Sequence, residues 1–326
     1  MLPWERPNAP EHVRVRQPVM EIKAAPGPRA DLPKRQPADE LPPILRKYDL
    51  GVVVMTHRGS SNGRLSVLLS SIPDNYPVTV CSDSVAQVDI DGDEQVARYH
   101  RAAFSHLSPW GGRAANAIHC MKATNWPATL YLCDDVWLFP ECIRDALRNY
   151  HAIKALGVPL AVLGVPGWET FYDLGNGHRS FEWWGFKSWD ECLLKPWMFH
   201  AVPPNPAYRM CPALYKNPFG ACMLMNREAY EDLGGFSPAY WAHDDVYNHK
   251  VWLSYRWVNA AYPGRGYMHL GAQSWHHGEA QEYVNQFKDA TGMTADESGA
   301  KQVEAIYHWR ALVGGCFEQL GGSPAV

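Results

Sequence analysis

Residues 128–135 read ATLYLCDD: a strand-length run of small and apolar residues that ends on two adjacent carboxylates, Asp134 and Asp135. An apolar run of this kind, without strict alternation, fits a strand buried on both faces, as the parallel sheets of α/β proteins require. Open α/β sheets place their ligands at the carboxyl ends of such strands. Hard oxygen donors there suit Mg²⁺ or Mn²⁺ carrying a phosphate, so the stretch points to chemistry on a diphosphate. A second acidic pair, Asp244-Asp245, lies further along the chain.

Upstream, Gly51-Val-Val-Val-Met55 is another continuous apolar run, and Leu65, Leu68, Leu69 and Ile72 then repeat at helical spacing. Val78-Thr-Val-Cys81 supplies a second strand that ends at Ser82-Asp83-Ser84, and Ala114, Ala117, Ile118 and Met121 mark a second helix. Downstream, Pro140 opens a helix that turns Ile143, Ala146, Leu147 and Tyr150 inward, and Leu160-Ala-Val-Leu163 is a further strand. Gly220–Met225 reads as another strand, followed by a short helix stopped at Gly234-Gly235 and a helix from Val246 through Leu253. Strands alternating with helices imply a largely parallel sheet.

Two regions have a different texture. The first 48 residues are rich in proline and poor in periodic apolar positions, which implies an extended arm wrapped on the body. Residues 164–212 lack regular periodicity and carry Trp183, Trp184 and Trp189 among many aromatic side chains with polar neighbours. A loop-like stretch this long in a compact domain usually serves a site, and its aromatic rings suit stacking on a sugar or a base.

Composition excludes several classes. A net charge of -4 on 326 residues gives no global attraction to nucleic acid or anionic lipid. The eight cysteines form no C-x-x-C pair and no zinc-finger spacing, so free, buried thiols are expected. Neither a phosphate-binding G-x-x-x-x-G-K-[ST] loop nor a G-x-S-x-G nucleophile elbow is present. No apolar leader region and no long apolar run is found, so a soluble cytoplasmic protein without membrane insertion is expected.

The order VVVMTHRG, VTVCSDS, GGRAANAIHCM, LYLCDDVWLFP and NPFGACMLMNREAYEDLGGFSPAYWAHDDV resembles glycosyltransferases of the GT-A nucleotide-diphospho-sugar transferase fold. The resemblance covers roughly Leu50 to Gly271 and is most specific from Phe219 to Val246. It implies a GT-A catalytic domain (49–275), and the texture of the rest of the chain adds a proline-rich arm (1–48), an acceptor-side aromatic insertion (164–212) and a C-terminal helical extension (276–326) that the resemblance does not reach.

The resemblance also implies roles for single residues. Thr56, His57, Arg58, Asp83, Arg113, Asn116 and Asp134 would bind the nucleotide-sugar donor. Asp135 and His269 would hold a divalent metal, Mn²⁺ or Mg²⁺. A cysteine, Cys133, stands where the family's metal motif carries its leading acid. Asp245 would be the general base that takes the proton of an acceptor hydroxyl, with Asp244 orienting the acceptor or capping the helix. By the aromatic texture of their segment, and not by the resemblance, Trp183, Trp184 and Trp189 would meet the acceptor, which would be a glycan, a protein, a small molecule, or a hydroxymethylated DNA base of the kind some bacteriophage transferases modify. A metal-dependent, inverting transfer is therefore expected. A nucleotidyltransferase of related fold, and a carbohydrate- or nucleic-acid-binding module without catalysis, are the alternatives.

Overall fold

In the computed structural model, which describes residues 34–40, 50–56, 64–109, 112–169, 213–214, 221–238, 243–262, 266–269 and 279–320, the apolar run Leu50–Thr56 forms strand β1, buried along its whole length. The chain continues through α1 (Arg64–Ser70), β2 (Val78–Ser82), α2 (Gln87–Tyr99), β3 (Ala103–His106), α3 (Gly112–Lys122), β4 (Ala128–Cys133) and β5 (Val136–Leu138). Next come α4 (Cys142–Ala155), β6 (Leu160–Gly164), β7 (Gly167–Glu169), β8 (Ala213–Leu214), β9 (Cys222–Asn226) and α5 (Arg227–Asp232). The described part closes with α6 (His243–Leu253), β10 (Val258–Ala261), β11 (Tyr267–His269), α7 (Glu279–Thr291) and α8 (Ala295–Gln319).

One eight-stranded sheet has the order β3-β2-β1-β4-β9-β6-β10-β8. Strands β3, β2, β1, β4, β6 and β10 share one direction, whereas β9 and β8 run against their neighbours. The sheet is thus mostly parallel, with one reversed strand inserted between β4 and β6. The six-residue run Gly220–Met225 resembles its parallel neighbours in composition, so its apolar pattern could not reveal that direction.

Alternation along the strands sorts the core onto two faces. Val52, Val54, Leu130 and Leu132 pack with Leu65, Leu68 and Leu69 of α1, Ile143 and Leu147 of α4, and Phe317 of α8. Val53, Met55, Tyr131 and Cys133 pack with Ala117 and Met121 of α3, Tyr230 of α5, and Tyr247 and Val251 of α6. Burying each such aliphatic side chain contributes about 1.5–3 kcal/mol. Helices α3 and α6 therefore lie on the same face of the sheet. Gly51 is demanded by this packing, because a Cβ there would fall 1.9 Å from the Trp126 ring.

A second, three-stranded sheet has the order β5-β11-β7. Its strands are only three residues long and carry no periodic signal by which they could be foreseen. It stands directly after Asp134-Asp135, and β11 runs antiparallel to β5 with His269 opposite Val136 and parallel to β7 with His269 opposite Glu169. Gly266 leads into β11, where a Cβ would lie 2.1 Å from the Pro166 carbonyl oxygen.

Helix α6 begins at His243, not at Val246, so Asp244 and Asp245 lie within its first turn and not ahead of it. Carboxylates there complement the positive end of the helix dipole. Helix α8 starts with a capping box: Thr294 accepts from the Glu297 backbone N–H, and Glu297 accepts from that of Thr294 at 2.8 Å. In the N-terminal segment, Arg35 donates to the carbonyl oxygens of Ile72, Pro73 and Tyr76, tying residues 34–40 to the body near the start of β2. No helix among the described residues is long and apolar enough to cross a membrane. The cysteines at 81, 120, 133, 142, 222 and 316 are free thiols, all but Cys316 buried.

Candidate active site

The carboxyl ends of β1, β2 and β4 are adjacent in the sheet, and their last residues are tied together by polar contacts. Thr56, fully buried at the end of β1, donates from Oγ1 to Oδ2 of Asp134 at 2.7 Å, and the Asp134 backbone N–H donates to the Met55 carbonyl at 3.0 Å. Asn116 of α3, also buried, donates from Nδ2 to the carbonyl oxygens of Thr56 and Cys81 at 3.2 Å each. Its amide thus bridges the ends of β1 and β2, while Oδ1 has no hydrogen-bond partner among the described residues.

Asp83, one residue beyond β2, is 1% exposed. The serines that flank it are anchored from below: Ser82 Oγ and Ser84 Oγ donate to Oδ2 of Asp93, a buried acid on α2, at 2.7 and 3.0 Å. The Ser84 carbonyl oxygen in turn lies 2.9 Å from Nε2 of His106 in β3. The Ser-Asp-Ser turn is therefore rigid, and the acid that makes it so was not singled out in the sequence.

Arg113 enters from the first turn of α3, and its Nη2 donates to Cys133 Sγ at 3.6 Å. Burial works against the guanidinium's charge, yet Cys133, Tyr131, Asp244 and Asp135 outweigh it and hold Arg113 above its ordinary range. Burial likewise pushes the Cys133 thiol up to about 12, with Arg113 opposing and Asp135 and Asp134 reinforcing. A neutral thiol next to a guanidinium is the arrangement where the resembling family has an acid. Arg113 is thus a cation that feels two carboxylates from distant parts of the chain, Asp135 after β4 and Asp244 at the start of α6.

His243 precedes Asp244 and is 2% exposed. Neither of its ring nitrogens has a hydrogen-bond partner among the described residues, and the ring meets Phe236 edge-on with centroids 5.2 Å apart. Burial depresses its pKa to about 4; Asp244 opposes the shift and Arg113 adds to it. Asp245 turns elsewhere. Its Oδ2 accepts from the hydroxyl of Tyr283 on α7 at 2.7 Å.

The fold therefore brings Thr56, Arg113, Asn116, Asp134, Asp135 and Asp244 to one sheet edge, with Asp83 at the neighbouring strand end. His57, Arg58, Trp183, Trp184 and Trp189 lie outside the described residues. His269 is placed by its backbone, one register step beyond Asp135 on the neighbouring strand. Among the described residues, no three His, Cys, Asp or Glu side chains gather as a metal site. The donor chemistry at this edge, a carboxylate closing a buried strand beside the strand that carries His269, is of the kind that a hard divalent ion accepts.

Tyr283, His243 and Asp93 were missed by sequence reasoning. Tyr283 and Phe287 stand four apart in a helical segment and so share one face, a signal that was available. His243 adjoins the acidic pair, but nothing in the sequence shows that it is buried.

No protein-family model matches the chain, and no curated protein sequence matches it. Solved structures do. The mannosyltransferase PcManGT from Pyrobaculum calidifontis, in complex with GDP-Man and Mn²⁺, is similar with a TM-score of 0.50 at 17% identity, covering 88% of this chain and 76% of that one. S. aureus TarS 1–349 in complex with UDP-GlcNAc gives a TM-score of 0.47 at 15% identity, covering 78% and 69%. At such identities the likeness concerns architecture: the chain has the GT-A type of α/β fold, a mostly parallel sheet flanked by helices.

Proposed function

We propose that the chain is a metal-dependent glycosyltransferase that moves a sugar from a nucleotide-diphospho-sugar to an acceptor hydroxyl with inversion. The observation that carries this reading is the gathering of Thr56, Asp134 and Asn116 by hydrogen bonds at the carboxyl ends of β1, β2 and β4, where Arg113, bonded to Cys133, also bears on Asp135 and Asp244. Open α/β sheets bind ligands at such an edge. The GT-A fold, shared with a structure that holds GDP-Man and Mn²⁺, supports a nucleotide-sugar as the donor.

In this reading Thr56 fixes Asp134, Asn116 locks the two strand ends, and Asp83 contributes to the nucleotide subsite. Arg113 supplies positive charge that a diphosphate would share, and its strongly held proton keeps that charge at any working pH. A divalent ion, held by Asp135 and His269, would offset the charge that grows on the departing nucleoside diphosphate. Asp245 takes the acceptor's proton as its oxygen bonds to the anomeric carbon and the bond to the diphosphate breaks, in a single displacement. Asp244 stays beside Arg113 and orients the acceptor. The segment 164–212, with Trp183, Trp184 and Trp189, supplies the acceptor's stacking surface.

The test is release of nucleoside diphosphate from a donor by the purified protein. Asp135→Ala and excess chelator should each abolish release, while circular dichroism and Tm show an intact fold. Full turnover with chelator present removes the metal from the mechanism.

A further inference from the structure

Consecutive residues on an α-helix point about 100° apart, so Asp244 and Asp245 face different surroundings. Asp244 bears on Arg113 and Tyr131, at the sheet edge. Asp245 is met from α7, a helix that follows the stretch Leu50 to Gly271 whose sequence motifs carry the resemblance, where the Tyr283 hydroxyl lies 2.7 Å from its Oδ2.

The seat of that hydroxyl is well supported. Phe287, one turn along α7, stacks on Tyr283 with centroids 6.3 Å apart and packs with Val246 of α6 in a small buried cluster. His249, one turn along α6 from Asp245, meets Phe287 edge-on at 6.0 Å, and its Nδ1 lies 2.7 Å from Ser298 Oγ of α8. An apolar latch thus holds α7 against α6, and the hydrogen bond to Asp245 stands at its end nearest the site. Among the described residues, Tyr283 from α7 bears on this end, and Asp244 on α6 itself acts on the same phenol. Further along, Lys301 of α8 and Lys250 act on His249. Burial, and then Asp245, hold the Tyr283 phenol above its ordinary range, so it keeps its proton and remains a donor.

We propose that Tyr283 is a positioning residue for Asp245: its hydroxyl fixes the carboxylate's rotamer and favours its ionised form, which makes α7 a working part of the catalytic site. This rests on the reading of Asp245 as the base. A carboxylate stabilised by a donor is a weaker base in the ground state, but one held in a single orientation meets the acceptor proton more often. The competing account is that Tyr283 only packs, in which case its ring matters and its oxygen does not.

Tyr283→Phe keeps the ring and removes the oxygen. In protein labelled with ¹³C at aspartate carboxyls, the Asp245 signal is identified by its absence from Asp245→Asn. Its titration midpoint in Tyr283→Phe should move upward by about half a pH unit or more. With UDP-GlcNAc or GDP-mannose as probe, kcat for nucleoside diphosphate release should fall about tenfold with donor KM unchanged. Phe287→Leu loosens the same latch and keeps the hydroxyl; it should lower Tm and leave the midpoint at the parental value. A parental midpoint in Tyr283→Phe overturns the inference, as does an equal shift in Phe287→Leu. Failure of the base reading shows separately, as near-parental turnover by Asp245→Asn while the Tyr283→Phe midpoint still moves.

Discussion

Asp134-Asp135 and Asp244-Asp245 are the same dipeptide on two kinds of scaffold. The first leaves a buried strand through a turn, and the second lies in the first turn of a helix. Each pair is nevertheless divided in the same way. One member is fixed by a neutral hydroxyl, Asp134 by Thr56 and Asp245 by Tyr283. The other bears on Arg113, which feels both Asp135 and Asp244. The difference lies in who does the fixing. Thr56 belongs to β1 and hence to the sheet itself, whereas Tyr283 comes from the C-terminal helices. The β4 side of the site is therefore set by the core of the fold, and the α6 side depends on how α7 seats against it.

If the two pairs have separate duties, their neutral variants should separate too. Asp245→Asn should bind donor like the parent and transfer at least about 100-fold more slowly, since loss of a general base typically costs that much or more. Asp244→Asn should be milder in kcat. Equal defects in the two variants would undo the division of the pair.

Removing the shared cation should disturb both sides at once. Arg113→Met removes the cation that bears on both Asp135 and Asp244, and should lower stability by about 1–3 kcal/mol and weaken donor binding. Arg113→Lys should recover part of the stability. A chemical denaturation series checks the first effect and donor titration the second; parental values for both in Arg113→Met would show that the two acids do not share it.

The smallest effect concerns pH on the α6 side alone. His243 takes a proton near 6.5 in the unfolded chain and near 4 in the folded one, chiefly because of burial. The unfolded state therefore binds the extra proton between these values, and stability from this group is complete above about 6.5 and lost as pH falls toward 4. His243→Phe should flatten the loss of stability across that window. It should not abolish it, because His100, distant on α2's C-terminal turn and bonded to Ser66, is depressed to about 4 as well. An unchanged slope in His243→Phe would mean that the imidazole is charged or hydrated in the folded protein.

The sheet was legible where its strands were long and uniformly apolar. Leu50–Thr56, Val78–Ser82, Ala128–Cys133 and Leu160–Gly164 all form where their runs of apolar residues placed them. Direction was not legible for β9, since burial on both faces produces the same composition whichever way a strand runs. Strands β5, β7 and β11, three residues each, are too short to carry a period. Helix α2 was missed because Gln87–Tyr99 exposes much of its surface and interrupts its apolar positions with Gly92 and buried Asp93. At the site, residues that end strands were readable, because a polar group after an apolar run is conspicuous. His243 was not, since its importance lies in burial, which leaves no mark on local sequence; the spacing of Tyr283 and Phe287 marks a shared helix face but not the α6 carboxylate that this face meets.

The measurement that bears most directly on the central reading is product identification. Purified protein with Mn²⁺ is incubated with a panel of nucleotide-sugars, and the phosphorus-containing products are resolved. Release of a nucleoside diphosphate from at least one donor, lost in Asp135→Ala, is the predicted result. If the protein instead forms pyrophosphate from a nucleoside triphosphate and a sugar phosphate, and releases no nucleoside diphosphate from any donor, it is a nucleotidyltransferase and the account is contradicted.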